Sequence, residues 1–136
     1  MYTDQELKAI LDEMRTIAIV GISDKEDRPS YRVAKYLQDQ GYRIIPVNPR
    51  LQEVLGEKAY PDLKSIPEPV DVVDVFRKPE EVVPVAREAV EIGAKVLWLQ
   101  LGIQNEEAEK LAAAAGLKTV ADRCLKIEHA RLMERG

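Results

Sequence analysis

The residues best suited to chemistry lie in Ile17-Ala18-Ile19-Val20-Gly21-Ile22-Ser23 and, a few positions on, at Arg28-Pro29-Ser30. A β-branched run ends in glycine and serine, and a helical pattern then opens on a proline. A helix starting there aims unpaired backbone N–H groups and a positive dipole end at whatever lies beyond the strand tip. That is anion-binding chemistry, and the usual anion is a phosphate. Gly21 lets a ligand approach the backbone closely, and Ser23 adds a hydroxyl. Arg28 and Ser30 flank the same turn.

Four further apolar runs end in polar or conformationally special residues: Pro46-Val47-Asn48-Pro49-Arg50, Val75-Phe76-Arg77, Leu99-Gln100-Leu101-Gly102 and Asp122-Arg123-Cys124. The first turn lacks G-x-G-x-x-G, the Walker spacing is absent, and no carboxylate ends the second run to accept ribose hydroxyls. Arg50 stands there instead, and a guanidinium suits an extra ribose phosphate better than a free hydroxyl. The site therefore reads as adenine-nucleotide binding with phosphate chemistry unlike that of NAD.

Catalytic machinery is not evident. Cys124 and His129 are the one nucleophile–base pair close in sequence, and a spacing of five does not favour a shared helical face. No residue set is assigned to catalysis or to a metal. The plainer readings make Cys124 a buried thiol, His129 a helix-surface residue, Trp98 a core residue and Asp24 to Arg28 a solvated loop. Phe76 is shared between core and site, and Arg77 between an anion and a surface carboxylate such as Glu80 or Glu81.

The elements that must position these tips follow from periodicity. Thr3 and Glu6 have capping-box spacing, and Leu7, Ile10, Leu11 and Met14 make an amphipathic helix. Strands are predicted at 17–20, 42–47, 70–76, 95–99 and 117–120. Helices are predicted from Ser30 to Gln40, after Pro79 with a buried stripe of Val83, Ala86 and Val90, and from Asn105 to Ala115 with Ala108, Leu111, Ala112 and Ala115 inward. A last helix carries Ile127, Ala130 and Met133. Pro84 should kink or delay the third of these helices. Gly41, Gly93 and Gly116 stop helices. The stretch 50–69 is irregular, with a turn at Leu55-Gly56.

Continuous apolar strands alternating with helices indicate a doubly wound parallel sheet of about five strands with helices on both faces, a three-layer α/β sandwich of Rossmann type. The first three strands, all nearly fully apolar, are expected to be central, in the order 3-2-1-4-5, with ligands beyond their carboxyl ends. Residues 1–136 read as one domain. A net charge of −4 argues against broad attraction to nucleic acid. No apolar run reaches the roughly 20 residues of a membrane span, and the acidic N-terminus lacks a secretory pattern, so a cytoplasmic protein is expected.

Taken together, Ile17 to Ser23, Gly41-Tyr42, Pro46 to Pro49, Val72 to Arg77, Trp98 to Ile103 and Asp122 to Cys124 resemble the small stand-alone coenzyme A (CoA)-binding proteins of bacteria and archaea. These are similar in turn to the CoA-binding domain of the succinyl-CoA synthetase α subunit. The resemblance runs from about Asp4 to Glu128. It implies CoA, or an acyl-CoA, across the strand tips. Gly21, Ile22 and Ser23 then sit by the phosphates, with Arg28 and Ser30 nearby. Pro46, Asn48 and Arg50 flank the adenosine and its 3′-phosphate, and Val75, Phe76 and Arg77 line the third side. Leu99, Gln100 and Gly102 approach the pantetheine arm, and Cys124 lies nearest the thiol. The synthetase's phosphorylated histidine belongs to a further domain, so binding is carried over and catalysis is not. The alternatives are a CoA-linked enzyme or partner subunit of an acyl-CoA synthetase-type complex, and an NAD(P)-binding regulator. No protein partner follows from the sequence.

Overall fold

In a computed structural model describing residues 2–133, five parallel strands form one sheet: β1 (Thr16–Val20), β2 (Arg43–Val47), β5 (Val72–Val75), β6 (Val96–Leu99) and β7 (Lys118–Val120), in the order β2-β1-β5-β6-β7. A short hairpin, β3 (Glu53–Val54) with β4 (Glu57–Lys58), turns at Leu55-Gly56 as the sequence predicts. The helices are α1 (Asp4–Glu13), α2 (Pro29–Asp39), α3 (Val82–Glu91), α4 (Glu106–Ala114) and α5 (Leu125–Met133).

The fold class is as expected, but the strand order is corrected. Counting only sheet strands, it is 2-1-3-4-5 rather than 3-2-1-4-5, so β2 is an edge and β5 the centre. The chain winds outward from β1 to β2 and then returns across β1 to begin again at β5. Right-handed crossovers place the helices of the two directions on opposite faces. Leu7, Leu11, Val33, Leu37 and Leu125 accordingly pack with Ile17, Ile19, Val72 and Trp98 on one face. Val82, Ala86, Ala89, Ala108 and Ala112 pack with Val20, Val47, Val73, Val75 and Leu97 on the other. The winding reverses between β1 and β5, the switch point outside which such sheets bind ligands.

β2 reads as a central strand because its side chains are buried despite its edge position. The stretch 50–69 covers the open edge. Tyr60 bridges to Val47, donating to the Pro46 carbonyl at 3.0 Å and accepting from Asn48 N–H at 2.9 Å. Arg43 fastens the start of β2, with Glu68 at 2.8 Å and Glu57 on its guanidinium. Pro46, with no N–H to give, is tolerated at such an edge.

Local signals resolve as physics requires. Thr3 and Glu6 close the capping box on α1. Pro84 delays the third helix: a 3₁₀ turn at Pro79–Glu81 precedes α3, leaving Pro84 in the first turn where its missing N–H costs nothing. The buried stripe of α3 is Val82, Ala86 and Ala89, rotated from the expected Val83, Ala86 and Val90 by that later start. On α4, Ala108 and Ala112 are buried, Leu111 is half-buried and Ala115 is exposed beyond the helix end. α5 forms where the last helix is expected, with Ala130 and Met133 half-buried on it. Leu125, Glu128 and His129 are buried, while Ile127 is 53% exposed. His129 is not a surface residue. Its Nδ1 lies 2.8 Å from the Tyr36 hydroxyl, and its ring packs edge-on against Tyr36 and Tyr42.

Candidate functional site

The β1 tip is braced between its neighbours. Gly21 N–H donates to the Val47 carbonyl at 2.9 Å, and Phe76 N–H to the Val20 carbonyl at 2.8 Å. Gly21 has φ +86°, and a Cβ there would stand 2.3 Å from the Phe76 carbonyl oxygen. The glycine is thus required by the crowding of two strand tips, independently of any ligand. Asn48 ties the third tip in: its Nδ2 donates to the Ile22 carbonyl at 2.8 Å, and its Oδ1 accepts from Arg50 N–H at 2.8 Å. The Ser30 hydroxyl accepts from Ser23 N–H at 2.9 Å.

These contacts frame a cavity of about 340 Å³ lined by Gly21, Ile22, Ser23, Arg28, Ser30, Asn48 and Phe76, together with Pro29, which opens α2. The Ile22 side chain is fully buried in the core, so its main chain provides the lining. α1 and α4 are capped by Thr3 and Asn105, but Arg28 places no side-chain cap on α2. The first-turn amides of α2 therefore lack a side-chain acceptor, which an anion can supply. Three arginines stand next to the elements that meet here: Arg28 before α2, which lines the cavity, and Arg50 after β2 and Arg77 after β5, which do not line it. None of their side chains has an ion pair or hydrogen bond among the described residues, and Arg77 Cδ lies 3.3 Å from where a Gly21 Cβ would stand. The alternative pairing of Arg77 with Glu80 or Glu81 is absent among those residues. Three unpaired guanidiniums and an uncapped helix suit a polyanion.

Other expected residues sit differently. Pro46 is buried within β2, and Val75 and Leu99 point their side chains into the core beneath α3 and α4. Gln100 is 4% exposed, and its Oε1 accepts from Leu125 N–H at 3.1 Å, which fixes the start of α5. Gly102, at φ +84°, donates to Asp122 Oδ1 at 2.7 Å, joining the β6 and β7 tips. Trp98 is fully buried as expected, its Nε1 donating to the Arg123 carbonyl at 2.8 Å. Cys124 is half-buried and lines a second cavity, about 770 Å³, at the β7 tip.

A third hollow of about 420 Å³ lies at the opposite, amino edge of the sheet, bordered by Met14, Asp71 and Lys95. Asp71 is already committed there, accepting from Arg15 and Thr16 N–H at 2.9 Å each. Parallel α/β sheets place ligands at the other end.

Asp74 escaped the sequence reading as a functional residue. It lies in β5 between Ile19 and Trp98, fully buried, and neither carboxyl oxygen has a hydrogen-bond partner. Burial raises its pKa well above the usual carboxylate range.

Fold and site define a doubly wound α/β protein with a cavity at the carboxyl tip of β1. A family model for a CoA binding domain matches residues 15–130, and the chain belongs to that family. It is 47% identical over 125 residues to the uncharacterized protein YneT of Bacillus subtilis, covering 92% of this chain and 93% of that one. It is 31% identical over 131 residues to the ADP-forming acetate–CoA ligase II subunit alpha of Pyrococcus furiosus, covering 87% of this chain but 29% of that protein. A solved structure of a hypothetical protein from Pyrococcus horikoshii OT3 superimposes with a TM-score of 0.96 at 44% identity, covering 98% of this chain and 94% of that one. The chain thus spans under a third of the ligase subunit and nearly all of the small relatives. Among the described residues, no helix is long and apolar enough to cross a membrane.

Proposed function

We propose that this protein binds CoA along the carboxyl edge of its sheet, as a binding module without chemistry of its own. The observation that carries the reading is the β1-tip cavity, where an uncapped helix N-terminus opens beside Arg28, with Arg50 and Arg77 following the neighbouring strands. A diphosphate satisfies the α2 amides, and a third phosphate on the ribose meets the guanidinium of Arg50, where an NAD site would carry a carboxylate. Membership of the CoA-binding family supports the same ligand. Acetate–CoA ligase is said of the longer relatives, and a fragment matching under a third of such a subunit supports the binding step alone.

Thermal unfolding with CoA, dephospho-CoA, NAD and NADP tests this directly. A ligand at a hundred times its Kd stabilises a folded protein by about 2.7 kcal/mol. CoA should give the largest shift, dephospho-CoA a smaller one and NAD none. NAD matching CoA would overturn the reading. NADP matching CoA while dephospho-CoA fails would keep the phosphate-reading arginine and reject the thiol-bearing ligand.

A further inference from the structure

We propose that the 770 Å³ cavity at the β7 tip is an acyl subsite, taking the chain of a neutral acyl thioester whose nucleotide end lies at the β1 tip. The inference rests on the CoA reading above and goes beyond it by naming the form of the ligand.

Position is the first argument. Neighbouring strands lie about 4.8 Å apart, so three steps from β1 over β5 and β6 reach β7 in about 14 Å. The pantetheine arm has a main chain about as long as four extended residues, which also spans about 14 Å. An arm leaving the phosphate cavity along the strand tips therefore delivers its sulfur where the second cavity opens. A thiol fills little of that volume, and whatever the sulfur carries has the rest.

The walls are the second argument. Among the described residues, the two large hydrophobic side chains left exposed are Leu101, at 64%, and Ile127, at 53%. Either alone is unremarkable. Both line this one cavity, from different elements, with Val120 and Ala121 beside them. The loop bearing Leu101 is stapled to the β7 tip: Gly102 N–H reaches Asp122 Oδ1 at 2.7 Å, and Asp122 N–H reaches the Ile103 carbonyl at 3.2 Å. Ile127 rides on α5, whose first turn Gln100 anchors. These apolar side chains, set among the polar Tyr2, Gln104 and Thr119, are held in place before any ligand arrives, which lowers the ordering cost of binding.

Charge selects among acyl groups. Glu6, Glu109, Asp122 and Glu128 border the cavity against one cation, Arg123, which is engaged by Glu128 at 3.4 Å. A neutral chain adds no like charge to theirs. An acyl group ending in a carboxylate meets like charge without a free partner, which discriminates against dicarboxylic acyl-CoAs.

Calorimetric titration of the full chain with CoA, acetyl-CoA, hexanoyl-CoA and succinyl-CoA tests the assignment, in the wild type and in Leu101→Ser and Ile127→Ser. Each buried methylene is worth about fourfold in affinity. With part of the chain at the open mouth, hexanoyl-CoA should bind about tenfold tighter than CoA, and succinyl-CoA no tighter than CoA. Both serine variants should lose the hexanoyl preference and keep the affinity for CoA; the substituted residues are exposed, so no core is removed. Equal affinity for CoA and hexanoyl-CoA overturns the subsite and leaves the CoA reading standing, as does a preference that survives both substitutions. Serine variants that change the sedimentation of the protein but not its ligand affinities make the cavity a contact between copies and equally overturn it. Absence of heat with every ligand sinks both readings.

Discussion

Replacing Asp74 by asparagine should make this protein more stable at neutral pH, by an amount that grows with pH. The carboxyl sits at the centre of the sheet between Ile19 and Trp98, with no exposed surface and no partner for either oxygen. Ionising it there is costly, so the folded protein holds the proton to a higher pH than the unfolded chain. The sign follows from linkage. Below the ordinary aspartate pKa of 3.8 both states carry the proton, and Asp74 adds no pH dependence. Above it the unfolded chain releases the proton while the folded protein keeps it, and stability falls by about 1.4 kcal/mol per pH unit until the raised folded-state value is passed. Asparagine has the same shape and does not titrate. At pH 4 the two proteins should agree within about 1 kcal/mol, because a neutral acid and an amide pay similar desolvation without partners. From pH 4 upward the variant's advantage should climb at that slope and then level off at the folded-state pKa. Urea denaturation of both proteins at pH 4, 5, 6 and 7 measures this, and the carboxylates they share cancel in the difference. A difference flat across that range would refute the reasoning, since it would mean that Asp74 ionises as readily folded as unfolded. A less stable variant at pH 7 would also refute it, by showing that the carboxylate has a partner.

Three other expectations concern the site. Gly21→Ala should cost about 2–5 kcal/mol, from left-handed strain plus overlap with the Phe76 carbonyl; Gly41→Ala, at φ +96° with open space around it, should cost only the strain, about 1–2 kcal/mol, and equal losses in urea melts would dismiss the strand-tip crowding. Arg50→Ala should weaken CoA about 10–100-fold, the worth of a charge-assisted contact, and leave dephospho-CoA nearly unchanged; equal loss for both ligands in calorimetry would move the 3′-phosphate elsewhere. CoA disulfide should form one adduct at Cys124, the thiolate displacing one CoA thiol, visible by intact mass and absent in Cys124→Ser; no adduct would place the arm's end away from this cysteine.

Much of this architecture was legible because its signals are local. The capping box at Thr3 and Glu6, the glycine stops and the proline opening of α2 depend on residues a few positions apart, and each stands where the pattern put it. Strand order depends on what covers an edge. β2 looks central because Tyr60 and the β3–β4 hairpin bury it from a segment with no pattern of its own. Pro46 was the available sign, since a proline inside a run of ladder residues favours an edge. The burial on α5 was less legible. Burying His129 makes sense only with partners from distant sequence, Tyr36 and Tyr42, while Glu128 is held locally by Arg123 and Arg131. Asp74 stood in plain view as one charge inside Val72-Val73-Asp74-Val75. Apolar periodicity averages such a residue away, although a broken local rule beneath a ligand site is where function is to be sought.

The two cavities are held by one layer of the sandwich. α2 and α5 both start at the carboxyl edge and cover the same face of the sheet, while α3 and α4 support the other. The start of α2 frames the phosphate cavity, and the start of α5 borders the second. Between them, the Tyr36 hydroxyl meets His129 Nδ1 at 2.8 Å, and the Tyr42 ring closes on the same imidazole. Arg131 pins α5 to α1 through a bidentate contact with Asp4 at 2.9 Å. A long ligand bound at both ends is sensitive to the distance between its anchors. Here that distance is set by strand spacing and by two helices locked side by side, rather than by loops. On the proposed CoA reading the sheet edge acts as a ruler for the extended arm, and a shorter or bulkier cofactor reaching one cavity would leave the other without a bound end.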